Sequence, residues 1–141
     1  MTTGAQIDWT EFERSATGLF ASKLGLVEDM QIFRGGIPQG VETGVGVLAN
    51  SLATVPYYGV SNPTFDVQVL GRFLHRDEAN TLMSRIYSLN IERGTQHGGF
   101  TFRSVTRTSE IAPYQADENG RRCWCVSVHF RIQAIQNTVN Q

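Results

Sequence analysis

The sequence predicts an α+β fold: a mixed, mainly antiparallel sheet with two helices packed on one face and long loops. Three stretches carry that prediction. Residues 64–89 read as a strand running straight into a helix. Residues 8–24 read as a capped amphipathic helix. Residues 123–134 alternate cleanly between apolar and polar.

The helix at the start comes first. Asp8 is placed to cap it, and Glu11 stands three residues on, where a reciprocal capping partner belongs. Trp9, Phe12, Ala16, Leu19, Phe20 and Leu24 recur at helical spacing, and Gly25 supplies a stop. Such a stripe belongs in a core. A short strand is expected at 30–34, closed by Gly35-Gly36. Residues 35–63 are rich in Gly and carry one charge, Glu42. A strand is expected at 45–49, with another strand or a loop at 55–60. A wholly irregular segment of this length is unusual unless it has a job. It therefore reads either as a β-meander with long turns or as an arm that orders against a neighbour.

In the central stretch, Phe65, Val67 and Val69 alternate with Asp66 and Gln68, which puts the apolar side chains on one sheet face. Ala79, Leu82, Met83, Ile86 and Leu89 follow at spacings of three and four, one helical stripe. Asp77 and Glu78 occupy the first turn, where the helix dipole favours negative charge, and Asn90 is expected to end the helix. A strand is expected at 99–108, where Phe100 and Phe102 alternate with Thr101 and Arg103. Residues 109–121 read as a connection holding Pro113 and the turn signal Glu118-Asn119-Gly120. On the last strand, Trp124, Val126, Val128, Phe130 and Ile132 take one face. Cys123, Cys125, Ser127, His129, Arg131 and Gln133 take the other.

The chain of 141 residues is expected to form a single domain, 1–141, with flexible tails at 1–6 and 137–141. A chain of this size buries roughly 68% of its unfolded surface. The net charge of −1 offers no general polycation for nucleic acid or a membrane surface. No apolar run approaches the roughly 20 residues that span a bilayer. The start, MTTGAQIDW, lacks the pattern of a secretion signal, so folding in a cytoplasm is expected. Eleven of the twelve basic residues are Arg, the cation enriched at protein interfaces. Charge is uneven along the chain. Residues 1–71 hold three basic and seven acidic side chains, and residues 72–141 hold nine and six.

No site of chemistry is expected. Cys123, Cys125 and His129 share a strand face, but at about 3.3 Å per residue the outer two lie roughly 20 Å apart. One zinc ion, with ligands at about 2.0–2.3 Å, cannot use all three. No Gly-x-Ser-x-Gly, His-Glu-x-x-His or phosphate loop is present, so neither enzyme nor cofactor is expected. Gly99-Phe100-Thr101-Phe102-Arg103 partly resembles the aromatic strand of RNA-recognition domains, where exposed rings stack on bases. Core-facing rings are the expectation, and a single-strand RNA-binding module is the lesser alternative.

Two segments carry a wider resemblance. The first holds Val67-Gln68-Val69, Arg72, Asp77-Glu78-Ala79 and Ile86-Tyr87. The second runs from Glu118-Asn119-Gly120-Arg121-Arg122 into Val126-Ser127-Val128-His129-Phe130-Arg131-Ile132. Together with the starting helix they resemble the minor capsid, or tail terminator, proteins of long-tailed, siphovirus-like bacteriophages over about half the chain. That resemblance implies a structural virion protein without enzymatic activity. It implies a ring, usually hexameric, that caps the tail tube, ends its polymerisation and joins the tail to the head connector. The implied partners are further copies of the chain, the tail tube protein and a head–tail connector or stopper protein, at the head–tail junction of a virion assembled in the host cytoplasm. Another head–tail joining protein, a stopper or tail-completion factor, is the close alternative. A closed ring needs two different patches on each subunit. Arg103, Arg107, Arg121, Arg122, His129 and Arg131 are the expected contributors to oligomer or partner contacts. Reversing the charge of Arg121 and Arg122 together is expected to weaken the ring or its docking; unchanged assembly and infectivity would count against that role.

Overall fold

The computed structural model describes residues 8–49, 64–111, 114–118 and 121–137, with 114–118 and 121–122 described as backbone. The elements run α1 (Trp9–Leu24), β1 (Ile32–Arg34), β2 (Gly44–Ala49), β3 (Thr64–Phe73), α2 (Arg76–Tyr87), β4 (Thr95–His97), β5 (Phe100–Arg107), β6 (Tyr114–Glu118) and β7 (Arg121–Gln136). The strands form one seven-stranded sheet in the order β1-β2-β3-β7-β5-β4, with β6 paired to β7. Only β1 and β2 are parallel among these pairs, so the sheet is mixed and mainly antiparallel, as the sequence predicts.

Both helices pack on one face. There β3 contributes Phe65, Val67, Val69 and Phe73, and β7 contributes Val126, Val128, Phe130, Ile132 and Ala134, all buried. Alternation at period two puts these side chains on the same side. α1 lays Phe12, Ala16, Leu19 and Phe20 onto them, and α2 adds Ala79, Leu82 and Ile86. The Arg85 side chain of α2 donates to the Leu24 carbonyl at the end of α1, 2.7 Å away, and so ties the helices together.

Asp8 caps α1, its carboxylate accepting from the Glu11 N–H at 3.0 Å, and Gly25 closes the helix at φ 70°. The reciprocal bond expected of Glu11 is not made. Instead the Asp8 N–H donates to Gln136 Oε1 (2.8 Å), while Glu11 Oε2 accepts from the Ser15 hydroxyl (2.8 Å) and the Gly99 N–H (3.1 Å). The β4–β5 turn packs against α1 and brings a backbone donor out of water, where an unmade bond is costly. The side chain satisfies that donor rather than its own helix start.

Several boundaries differ from expectation. α2 ends at Tyr87, with Ser88 at its C-cap, rather than at Asn90. The Leu89 N–H then bonds the Ile86 carbonyl at 3.1 Å, a tightened turn that swings Leu89 and Ile91 against the core edge. β4 was not expected, and β5 begins at Phe100 rather than Gly99. The two are joined by Gly98-Gly99, a two-residue hairpin loop with Gly98 at φ 58°. The supposed connection at 109–121 contains β6, and β7 reaches from Arg121 to Gln136, beyond 123–134 at both ends. Cys123 is buried rather than on an open polar surface. β5 and β6 both run along the same strand, β7, so the chain closes in one long interrupted hairpin. The expected strand or loop at 55–60, the rest of 50–63, Pro113, the Asn119-Gly120 turn and the tail positions 1–6 and 138–141 lie outside the described residues.

Candidate interface residues

The sheet face away from the helices is polar. β3 pairs with β7 so that Asp66, Gln68, Leu70 and Arg72 stand opposite Arg131, His129, Ser127 and Cys125. Gln68 Nε2 donates to the Ser127 hydroxyl at 3.0 Å, and Arg131 approaches the Asp66 carboxylate at 3.7 Å. Both partners of the latter are more than half exposed, so the pair contributes about 0–1 kcal/mol. The loop at 35–43 crosses the β2 end of this face. A side chain at Gly46 would meet the Gly36 backbone at 2.9–3.0 Å, and Arg72 donates to the Val41 carbonyl at 3.1 Å. The β7 side of the face, with His129 half-buried and Arg131 exposed, carries the polar groups expected there.

The six expected interface residues do not form one patch. His129 and Arg131 share the open face. The His129 backbone is held at both ends: its N–H donates to the Ser109 hydroxyl (2.9 Å) and its carbonyl accepts the Thr108 N–H (2.9 Å). Those bonds fill the gap between β5 and β6. Arg103 sits where the β5–β7 register shifts between Phe102 and Ser104, a β-bulge residue with no partner of its own across the ladder. The bulge also turns Arg107 toward the helix side, where its guanidinium lies 4.3 Å from the centre of the Tyr87 ring of α2. Arg121 and Arg122 open β7 and pair in the ladder with Glu118 and Asp117; their side chains lie outside the description.

Sequence reasoning passed over the apolar surface. Among the described residues the exposed large hydrophobic side chains are Val27, Met30 and Tyr87. Val27 and Met30 flank Glu28 and Asp29 in the turn before β1. Nothing periodic marks that turn, but two apolar residues around two acids between a helix and a strand are a visible signal. α2 separates two grooves. On its β1–β2 side, an open groove of about 220 Å³ is floored by Leu26, Val45, Phe73 and Leu82. On its β5 side, one of about 240 Å³ is bordered by Tyr87, Leu89, Ile91, Val105 and Arg107. Both fall below the roughly 300–1,000 Å³ of small-molecule sites.

The two halves of the sequence occupy different flanks of the sheet. Residues 1–71 supply β1, β2 and β3, one flank of the sheet; residues 72–141 supply β7, β5 and β4, the other. The charge count does not follow that division, because α1 carries Asp8 and Glu11 across to Gln136 at the end of β7 and Gly99 in the β4–β5 turn, and Arg72 lies on β3.

The rings that an RNA-binding strand would need are not on a surface. Phe100 and Phe102 are both 0% exposed and pack against Phe12, which removes the stacking platform from the single-strand RNA reading. Among the described residues, no group of three or more His, Cys, Asp or Glu could hold a metal ion, and no helix is long and apolar enough to cross a membrane. No protein-family model matches the chain, and no curated protein matches it significantly.

Proposed function

We propose that the protein is a structural virion subunit, a tail terminator of a long-tailed bacteriophage that forms a ring on the tail tube and presents a surface to the head connector. One observation carries the reading: the two segments that resemble that family are neighbours in space. β3 pairs with β7 along its whole length, Thr64 to Phe73 against Gln133 to Trp124. α2 packs over both, with Leu82 beside Gly71 and Val126. The likeness in residues 65–89 and 118–132 therefore falls on one contiguous unit rather than on scattered pieces. The two edges of the sheet, β1 and β4, are different strands, which suits a cyclic ring that joins two different patches on each subunit. His129 and Arg131 on the open face belong, in this reading, to the contacts with tube, connector or neighbouring copy.

The test is native mass by light scattering, with negative-stain images of the same sample. An annulus of six copies is the expected result. A two-fold dimer, which closes a single patch on itself, would count against the ring.

A further inference from the structure

We infer that the turn at residues 27–30 of one copy seats the Tyr87 and Arg107 pair of the next, a head-to-tail contact between copies of this chain. The inference rests on the ring reading and names the surfaces that would build it. Val27 is 53% exposed, Met30 73% and Tyr87 56%, and all three side chains lose water only if something covers them. Leu26 and Gln31, which bracket the turn, line the groove on one side of α2, and Tyr87 and Arg107 line the groove on the other, so the two surfaces of one subunit do not meet each other.

The chemistry of the two surfaces matches. Glu28 and Asp29 put two exposed carboxylates between Val27 and Met30. On the other surface the Arg107 guanidinium lies over the Tyr87 ring, 4.3 Å from its centre, a pre-arranged aromatic and guanidinium pair of the kind enriched at interface hot spots. An apolar knob ringed by acid meets an apolar shelf carrying a cation. Complementary potentials of this sort set partner choice and suppress the wrong pairing of like surfaces.

Other occupants fit less well. The acidic pair repels the phosphates of nucleic acid and of an anionic membrane surface. The groove beside Tyr87, at about 240 Å³, takes a side chain or two rather than a drug-sized ligand. A second copy carries both halves of the match and needs no further partner.

The test is a charge-swap mixing experiment on the full chain, with native mass as the readout. Glu28→Arg and Arg107→Glu change exposed side chains at two separate sites. Each variant alone is expected to lose the wild-type oligomer and run as a monomer. An equimolar mixture is expected to recover the wild-type mass. In an alternating ring every contact then joins either the two native charges or the two reversed ones. That recovery would also show that both variants fold. Wild-type mass in each single variant, failure of the mixture to assemble, or a wild-type protein that stays monomeric up to its solubility limit would each overturn the contact. Failure of the ring reading has a different signature. An assembly that responds to the swap but is not an annulus, or labelled protein found away from the tail end of the particle, would sink the terminator assignment and leave the contact standing.

Discussion

Replacing Phe65 with Ala is expected to destabilise the protein by about 3–5 kcal/mol, the range for removing a buried aromatic ring. Phe65 is 0% exposed and lies on β3, which pairs with β2 on one side and β7 on the other. Its ring stacks on Phe12 at 3.6 Å between centres and 9° between planes. It meets Trp9 edge-on at 5.2 Å and Phe100 at 6.0 Å. The change therefore removes the transfer energy of the ring, leaves a cavity between sheet and helix, and breaks aromatic pairs worth about 0.5–1.5 kcal/mol each beyond their burial. Against a typical total of roughly 5–15 kcal/mol, the loss is large. Urea unfolding would show it as a lower midpoint with an unchanged slope. The neighbouring Asp66 points the other way, and Asp66→Ala is expected to move stability by no more than about 1 kcal/mol. If the two variants had equal midpoints, the aromatic cluster would not be the centre of the core.

A methyl group at Gly71 is expected to act in the opposite manner, by overfilling. Gly71 is buried on β3 opposite Val126 and beneath Leu82 of α2. A Cβ there would stand 2.7 Å from Phe73 Cε2, 2.7 Å from Val126 Cγ2 and 2.9 Å from Leu82 Cδ2. Two effects compete in Gly71→Ala. Narrowing the unfolded ensemble stabilises by about 0.4–1 kcal/mol. Crowding a packed core costs about 1–3 kcal/mol. Crowding wins, because all three neighbours are core side chains with little room to retreat, and a net loss of about 1–2 kcal/mol is expected. The strain should lift α2 more than it disturbs α1, so amide exchange should quicken along 79–87 first. A stabilised variant would mean that α2 rides further from the sheet than these contacts place it.

These two residues also show why the halves of the structure differ in how readily they are read. Phe65 is visible as core from alternation alone, because a strand with one buried face must repeat at period two. Gly71 interrupts that pattern, and its reason is another element: the crossing of α2 over the strand. The same division runs through the surface. Arg131 and His129 are placed on an open face by the alternation of the last strand. Arg107 is not, because the bulge at 102–104 shifts the register and delivers it to the helix side beside Tyr87. A bulge residue is unpaired and carries no periodic mark. The short β4 and the strand β6 escape for a related reason: strands this short show too few turns of a pattern to be told from loop. The Gly98-Gly99 loop was the one local sign of the first, a dipeptide suited to a two-residue hairpin.

By itself, then, the sequence determined the α+β class, the two amphipathic helices, the central strand and the last one, since hydrophobic periodicity and capping act over a few residues and are written in local order. It also held the charge imbalance, but as a count without a location. Only the tertiary structure decided that β3 pairs with β7 and so brings the two halves of the chain side by side in one sheet, with acids of α1 set over the later strands. Only it put Leu26 and Gln31, which bracket the 27–30 turn, at the groove on one side of α2 and Tyr87 with Arg107 at the groove on the other. Strand order is set by contacts between residues far apart in the chain, and no local period encodes which distant partner a strand will take.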